Sequence, residues 1–177
     1  MFAPADAAPD TLVTTYLHMT DRSAFKPCYL NAPNVSIAQM KGTDVAFYRF
    51  LYSEVGKHWR WRDRLLLSDD DLRAVLSQPG VSVHVLYRDG VPAGYVELAQ
   101  QGETTEIAYF GLRPDFFGQG LGKYLLSYGI EKAWEGGAKR VWVHTCNLDG
   151  PHALANYVKR GFSIYDVHHQ PMPARYQ

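Results

Sequence analysis

The sequence has 177 residues, a length typical of one domain, and its 46% hydrophobic and 20% charged residues exclude a disordered or membrane-spanning chain. Its 18 basic and 18 acidic side chains balance, so no net charge draws the chain to nucleic acid or an anionic membrane. Cys28 and Cys146 are too few and too far apart for a disulfide framework or a zinc site, and they fit a reducing cytoplasm.

The first half of the chain predicts a tail, one strand, a long loop and two helices. Residues 1–10 are rich in Ala, Pro and Asp and predict a flexible tail before a single domain over residues 11–177. Residues 12–19 carry Thr, Val and Tyr and predict a strand, whereas the Pro, Asn and Gly content of residues 21–43 predicts mainly loop. Apolar spacing and capping signals predict helices over residues 44–55 and 68–76.

The second half predicts a meander of strands followed by alternating helices and strands. Strands are predicted at residues 81–87, 91–99 and 104–112, with short turns at 88–90 and at Gln101-Gly102. A helix over 120–135, a strand over 141–146, a helix over 151–160 and a strand over 162–167 follow. This order predicts an α/β fold of the α+β type, with a mixed, mostly antiparallel sheet of six to seven strands flanked by about four helices.

A glycine-rich segment joins the third meander strand to the next helix. Gly118, Gly120 and Gly122 leave backbone N–H groups uncovered at the helix start, and such groups bind phosphate. The segment fails the P-loop pattern because Tyr124 follows Lys123 where Ser or Thr is required. It fails the dinucleotide pattern because Lys123 stands where the last glycine belongs. A strand-to-helix turn that binds no ligand is the alternative to a phosphate-binding turn.

Two segments of the sequence resemble the GNAT superfamily of N-acetyltransferases. The first is the acetyl-CoA loop, here preceded by Pro114 and differing at Phe117, where the family usually has Arg or Gln. The second is the family's later motif, which here carries Tyr157 and the pair Gly161-Phe162. The resemblance covers residues 81–167 well and matches residues 1–80 only in the order of the elements. It implies a GNAT-like fold and direct transfer, without metal, of an acetyl group from acetyl-CoA to a primary amine of a small molecule or peptide.

The same resemblance assigns residues to the binding of acetyl-CoA. It implies that the Leu112 N–H polarises the thioester carbonyl and that the Tyr157 hydroxyl donates a hydrogen bond to the leaving sulfur, although packing within its helix would also explain Tyr157. Asn147 stands three residues before Gly150, where the family often has Asn, so its role stays open. The assigned residues are Leu112, Phe117, Gly118, Gln119, Gly120, Leu121, Gly122, Lys123, Asn147 and Tyr157.

Two carboxylates are candidates for the base that removes a proton from the amine. Glu106 begins a strand with two apolar faces, and strand alternation puts it on the face of Phe110 and Leu112. A symmetric turn at Gln101-Gly102 places Glu97 opposite Glu106, and two opposed carboxylates hold a proton more readily than one. An odd loop length would separate them, and a solvated charge or an Arg partner is the alternative for each.

Three further residues are candidates for binding the acceptor. His144 lies on the strand before the second motif and could face the acceptor, although a structural histidine is an alternative. Trp59 and Trp61 alternate with basic side chains over residues 57–64, a pattern that suits a carboxylate-bearing amine or a nucleic acid. The alternative is that the tryptophans pack as a lid while the arginines face water.

The sequence therefore predicts a cytoplasmic N-acetyltransferase that acts on an amine and on neither nucleic acid nor membrane, with a homodimer as an open arrangement. The alternative is a non-catalytic sensor or regulatory module that binds acyl-CoA. The retention of Tyr157 favours the enzyme, whereas Phe117 favours the sensor.

Overall fold

One mixed sheet of seven strands organises the protein in the computed structural model, which describes residues 8–177. The predicted tail over residues 1–10 falls largely on residues 1–7, outside the described residues. Strands β3 to β5 are an antiparallel meander, and only β5 and β6 are parallel neighbours. The predicted mostly antiparallel sheet is confirmed. Its strands are β1 (Thr11–Met19), β2 (Val35–Gln39), β3 (Val81–Arg88), β4 (Val91–Gln101), β5 (Thr104–Leu112), β6 (Arg140–Cys146) and β7 (Ser163–Pro171), in the order β2-β3-β4-β5-β6-β1-β7.

Four α-helices flank the sheet, as predicted. The Asp44 and Ser68 side chains accept hydrogen bonds from the Phe47 and Asp71 amides, at 2.9 and 3.1 Å, and so cap the first two helices. The last helix starts two residues later than predicted, because Pro151 lies in the turn before it. The helices are α1 (Val45–Gly56), α2 (Asp69–Leu76), α3 (Leu121–Glu135) and α4 (Ala153–Lys159).

The apolar side chains of the helices form two cores on opposite faces of the sheet. Tyr48, Leu51, Tyr52 and Val55 of α1 recur at helical spacing and pack with α2 on β3 and β4, on what we call the α1 face. Leu121, Leu125, Leu126, Ile130 and Ala133 of α3 pack on the other face, which we call the α3 face and which also receives Tyr157 of α4.

Strand β2 lies within the segment that the sequence predicts as loop. Residues 21–43 are loop over most of their length, but Val35–Gln39 pairs with His84–Arg88 at the sheet edge. The prediction is wrong for these five residues. A short edge strand has a weak local pattern, and here the β3 backbone supplies the hydrogen bonds that make it a strand.

The first strand lies between the last two strands, antiparallel to both β6 and β7. Asn147, which follows β6, extends this pairing with its side chain. Its Oδ1 accepts a hydrogen bond from the Val13 amide at 3.0 Å, and its Nδ2 donates to the Thr11 carbonyl at 2.9 Å. The amide group of Asn147 therefore takes the place of a strand residue beside β1.

The register between β4 and β5 differs from the predicted register. The turn consists of Gly102 and Glu103, and an irregularity after Glu97 shifts the pairing by one residue. Glu106 consequently faces Ala99, and Glu97 faces Tyr109, so the predicted opposition of the two carboxylates is wrong.

The extra residue of the bulge, Ala108, also changes which face each side chain of β5 reaches. Phe110 and Leu112 pack on the α3 face. Glu106 lies on the opposite face, beside His144, so the predicted shared face is also wrong.

Candidate active site

A gap opens in the middle of the sheet between β5 and β6. These strands pair over only three residues on each side, and Glu106 with Trp142 is the last pair. The Arg113 amide donates to the Ala93 carbonyl of β4 at 2.8 Å. Because successive N–H groups of a strand point to opposite neighbours, the Leu112 N–H points into the gap. The gap therefore presents a backbone donor at the position that the sequence predicts for the thioester carbonyl.

The glycine loop turns the chain from β5 into α3. Gly118 and Gly120 both have φ of +75°, the left-handed region that glycine adopts without strain. Gly120 is the N-cap of α3. Among the described residues, the amides of Leu121, Gly122 and Lys123 donate no hydrogen bond. The N–H groups in the first turn of a helix have no carbonyl partner within that helix. These amides and the helix dipole form a site for an anion.

The loop lies against the end of β5, so the anion site and the gap are adjacent. A Cβ at Gly122 would lie 3.6 Å from Leu112 Cδ1, which shows how closely the helix start approaches the strand. The ring of Phe117 is 42% exposed, and the Gln119 side chain donates to the Asp115 carbonyl at 3.4 Å. Lys123 is exposed on the first turn, whereas Leu121 is fully buried in the core.

Tyr157 lies beside the gap on the α3 face. Its ring contacts Phe110 of β5 edge-on, with 6.2 Å between centroids, and Phe162 at 6.1 Å. Burial, with a smaller effect from Asp149, raises the pKa of Tyr157 well above its usual value, so the hydroxyl stays protonated. Within residues 8–177 this hydroxyl donates no hydrogen bond, and it is therefore a free donor.

Steric constraints explain why the second motif has glycine at position 161. Its φ is +108°, and a Cβ at this position would lie 2.0 Å from the Ala24 carbonyl oxygen. Only glycine permits this close approach, which directs the chain from α4 into Phe162 and the last strand.

Glu106 and His144 meet on the α1 face where the pairing of β5 and β6 ends. His144 Nδ1 lies 3.5 Å from Glu106 Oε1, and both side chains reach solvent. A carboxylate beside an imidazole forms a pair that can accept a proton at the edge of the gap. The sequence predicts both residues as candidates without predicting their contact.

Glu97 has a different environment, deep in the α1-face core. Its side chain is 0% exposed, Arg64 Nη2 lies 2.6 Å from its Oε1, and the Tyr48 hydroxyl donates to its Oε2. Burial raises the pKa of Glu97, while the neighbouring Arg64 and the bond from Tyr48 act in the opposite direction. Both carboxylate oxygens are thus engaged inside the protein.

Arg64 and Tyr48 are the residues that the sequence analysis missed. A glutamate within the apolar run of β4 was the available signal, because a buried carboxylate requires a partner. Nothing in the spacing identifies that partner, since Arg64 lies 33 positions away from Glu97.

Most of the aromatic and basic side chains that are described below for residues 57–64 make contacts within the protein. Trp61 packs on Tyr52 and Tyr109, each with 5.3 Å between centroids, and the Trp59 ring lies against Gly150. Both tryptophans thus pack against the rest of the protein, as in the alternative interpretation of this segment. The expectation that the arginines face water is wrong for Arg64, whose guanidinium also lies 5.2 Å from the Tyr109 ring centroid.

The C-terminal turn, Ala174–Tyr176, docks on the same segment. Arg60 donates to the Tyr176 carbonyl at 2.7 Å, and the Tyr176 hydroxyl donates to Asp63 at 2.8 Å. These contacts engage part of the segment inside the protein.

Two properties concern the described residues as a whole. No group of three or more His, Cys, Asp or Glu side chains among residues 8–177 is placed to hold a metal ion. No helix in this part of the chain is both long and apolar enough to cross a bilayer.

A family model described as the acetyltransferase (GNAT) family matches residues 46–162. None of the curated proteins matches this sequence.

Solved structures with the same fold are distant in sequence. A GCN5-related N-acetyltransferase from Kribbella flavida is 20% identical with a TM-score of 0.65, over 92% of this chain and 58% of that one. One from Sphaerobacter thermophilus is 12% identical with a TM-score of 0.69, over 92% and 52%. An aminoglycoside acetyltransferase from an uncultured soil sample is 18% identical with a TM-score of 0.60, over 72% and 87%. The chain thus spans little more than half the length of the first two structures, and at these identities the likeness shows the fold.

Proposed function

Because the chain belongs to the acetyltransferase (GNAT) family, we propose that it moves an acetyl group directly from acetyl-CoA to a primary amine of a small molecule or peptide. Family membership implies acyltransferase activity and the use of acetyl-CoA, while the acceptor and the direct route are our proposal. The observation that supports it most is the adjacency of three donors: the uncovered amides at the start of α3, the Leu112 N–H in the gap, and the Tyr157 hydroxyl.

The glycine loop fits the diphosphate of acetyl-CoA. Three free amides at the N-terminus of a 15-residue helix suit an anion, and the helix dipole adds about 0.3–1 kcal/mol per charge. The binding groups belong to the backbone, so the loss of a polar side chain at Phe117 leaves them in place. We assign the diphosphate to Gly118, Gly120 and the first turn of α3.

The bound thioester supplies an acyl carbon whose bond to sulfur breaks as its bond to the amine nitrogen forms. The Leu112 N–H would donate to the carbonyl oxygen, and one such donor contributes about 2.7–4 kcal/mol to the transition state. The Tyr157 hydroxyl would donate a hydrogen bond to the departing thiolate, because its raised pKa keeps the hydroxyl protonated. The thiolate would then take its proton from solvent.

The proton released by the amine needs an acceptor, and we assign it to the pair of His144 and Glu106. This pair reaches solvent at the edge of the gap, whereas the oxygens of Glu97 are engaged by Arg64 and Tyr48. We therefore propose that Glu97 anchors the segment over residues 57–64 to the sheet and that it does not contact the amine.

We also propose that residues 11–177 form one domain and that this domain acts in the cytoplasm. Cys28 and Cys146 are free thiols, which suits a reducing compartment.

Calorimetric titration with acetyl-CoA and a thiol-release assay against a panel of amines test the proposal together. We expect binding at the loop and release of CoA with at least one class of amine. Tyr157→Phe should lower kcat by about 100-fold and leave the Kd for acetyl-CoA unchanged, because the variant loses only a hydrogen-bond donor to the leaving sulfur. Tyr29→Phe, at an exposed tyrosine whose hydroxyl bonds Glu131, is the matched control.

Three outcomes would contradict parts of the proposal. Absence of acetyl-CoA binding at high concentration excludes the assignment of the loop. Binding without CoA release across a broad panel supports an acyl-CoA sensor instead. Equal turnover of Tyr157→Phe and the wild type removes Tyr157 from the mechanism.

A further inference from the structure

Six aromatic rings form a continuous cluster on the α1 face of β6, β1 and β7, and one of them is His144 of the site described above. Neighbouring ring centroids in this cluster are 4.5 to 6.4 Å apart. Tyr16 is its centre, because its ring contacts four of the other five. We call this cluster the ring platform: Tyr16, His18, Trp142, His144, Tyr165 and His168.

Strand register places the six rings on one face. Tyr16 lies opposite His144, and His18 lies opposite Trp142, in the pairing of β1 with β6. A bulge in the pairing of β1 with β7 makes Tyr165 an extra residue, and its ring lies 4.5 Å from that of His18. The arrangement depends on three strands that are distant in sequence.

The ring platform is partly open to solvent, with Tyr16, His18 and Trp142 half-buried and the other three rings exposed. Helices α1 and α2 pack on β3, β4 and β5, at the other end of the sheet. The side chains of His144 and His168 are 45% and 60% exposed, and Tyr165 is 43% exposed. Exposed rings in such a group are unusual unless they bind something, because each would gain from burial.

The ring platform begins at the gap where transfer takes place. Trp142 pairs with Glu106 at the last position before β5 and β6 separate, and His144 contacts the same Glu106. The Tyr16 ring centroid lies 5.8 Å from that of His144. A ligand whose aromatic ring packs on Tyr16, and whose amine is joined to that ring by a short alkyl linker, therefore has its amine beside His144 and Glu106.

The charged groups of this face are mostly paired with one another. His168 Nε2 lies 2.9 Å from Asp166, His144 lies 3.5 Å from Glu106, and Arg140 donates to His18 at 3.3 Å. A ligand rich in hydroxyl groups would find these partners occupied, whereas a flat apolar ring can use the aromatic surfaces. The Arg140 guanidinium already lies 5.0 Å from the Tyr165 ring centroid and uses one face of that ring. The carboxylates of Glu106 and Asp166 and the remaining ring faces favour a ligand that also carries positive charge.

We propose that the ring platform binds the acceptor and that the acceptor is an arylalkylamine, an amine joined to a planar aromatic ring by a short linker. This inference rests on the proposed function and names the substrate class of the same site. The aromatic ring packs among Tyr16, Trp142 and Tyr165, and the amino group lies beside Glu106 at the edge of the gap.

Matched amines test the preference for a ring. Phenethylamine, hexylamine and glucosamine are compared by calorimetry without acetyl-CoA and by kcat/KM for thiol release with it. We expect phenethylamine to bind and to react at least tenfold better than hexylamine, with glucosamine poorer still. Equal values for phenethylamine and hexylamine, or a preference for glucosamine, would overturn the inference.

Two variants locate the preference on the ring platform. Tyr16→Leu and the exposed Tyr165→Leu should each lower the ratio of phenethylamine to hexylamine affinity by fivefold or more, with the Kd for acetyl-CoA unchanged. Tyr29→Leu, at an exposed tyrosine on the far side of the sheet beside α3, should leave the ratio unchanged. An unaltered ratio in both platform variants overturns the inference, and so does a wild-type dimer that Tyr165→Leu dissociates, because a second copy then covers the platform.

These measurements separate the two proposals. Release of CoA from amines without any preference for a ring refutes the ring platform and leaves the acetyltransferase. Ring-dependent binding without acetyl-CoA binding or CoA release refutes the acetyltransferase and leaves a platform that binds arylalkylamines.

Discussion

Replacing Arg64 with Met leaves the Glu97 carboxylate buried, with Tyr48 as its one remaining side-chain partner among residues 8–177. Glu97 is 0% exposed, and the guanidinium that is removed lies 2.6 Å from it. Met retains much of the apolar stem of Arg, so the packing on Tyr109 changes little. Breaking a buried ion pair on one side costs about 3–5 kcal/mol, because the remaining charge has lost its compensation.

This free energy corresponds to a large shift in thermal stability. For a chain of 150–250 residues, a loss of 1 kcal/mol lowers Tm by about 2–4 °C. Arg64→Met should therefore lower Tm by about 6–20 °C. Arg73→Met is the control, because its partner Asp70 has a side chain that is 96% exposed, and surface pairs contribute about 0–1 kcal/mol.

The loss of stability should also depend on pH. Burial already raises the pKa of Glu97, and removal of Arg64 takes away a group that lowers it. A carboxyl whose pKa is raised in the folded state stabilises the fold below its unfolded pKa, and this contribution is lost as pH rises through the folded pKa. The deficit of Arg64→Met should thus be smallest near about pH 4 and largest near about pH 8.

Urea unfolding followed by circular dichroism at both pH values measures these quantities. The wild type, Arg64→Met, Glu97→Gln and the double variant form a cycle, and the coupling free energy should be about 1–3 kcal/mol. A deficit below about 1 kcal/mol at every pH, or a double variant equal to the sum of the single ones, would refute the buried ion pair as an anchor.

Three other predictions concern the loop, a buried histidine and the first strand. Gly120→Ala imposes about 1–2 kcal/mol of strain at φ +75° and should weaken acetyl-CoA binding about 5–30-fold in calorimetry. Burial lowers the pKa of His84 to about 4, so its unfolded form binds the proton first. The unfolding free energy should fall from about pH 6.5 to 4 by up to about 1.4 kcal/mol per pH unit, and His84→Gln should remove this component. Asn147→Ala loses two hydrogen bonds to β1 and should cost about 1–3 kcal/mol, with faster amide exchange at Val13.

Each of these predictions has a contrary outcome. An unchanged Kd in Gly120→Ala would mean that the left-handed N-cap does not shape the anion site. Parallel pH profiles of His84→Gln and the wild type would assign the acid sensitivity to other groups. Unchanged exchange at Val13 in Asn147→Ala would show that the strand holds without this side chain.

The sequence predicts the helices well because their determinants are local. Asp44 and Ser68 cap the amides three residues ahead of them, and the apolar spacing of α1 and α3 gives one buried stripe each. It fails at Val35–Gln39 because an edge strand of five residues depends on the backbone of its neighbour.

The candidate site also has one part that the sequence predicts and another part that it does not. The glycine loop is visible in the sequence because left-handed φ values and a helix start need particular residues within a short segment. The sequence does not show that Glu106 contacts His144 or that Glu106 is separated from Glu97. These two features depend on the position of the β4–β5 turn and on the one-residue bulge in β5. A shift of one residue in the register moves every following side chain of the strand to the other face of the sheet.

The sequence by itself determined the order of most elements, the helix caps, and the glycine-rich turn at the start of α3. The tertiary structure alone decided that β1 enters between β6 and β7, that Arg64 engages Glu97, and that six rings from three strands form one platform. Local backbone geometry and capping act within a few residues, so they are written in the chain. Strand order and register are set by burial and hydrogen bonds between distant segments, which exist only once the sheet has formed.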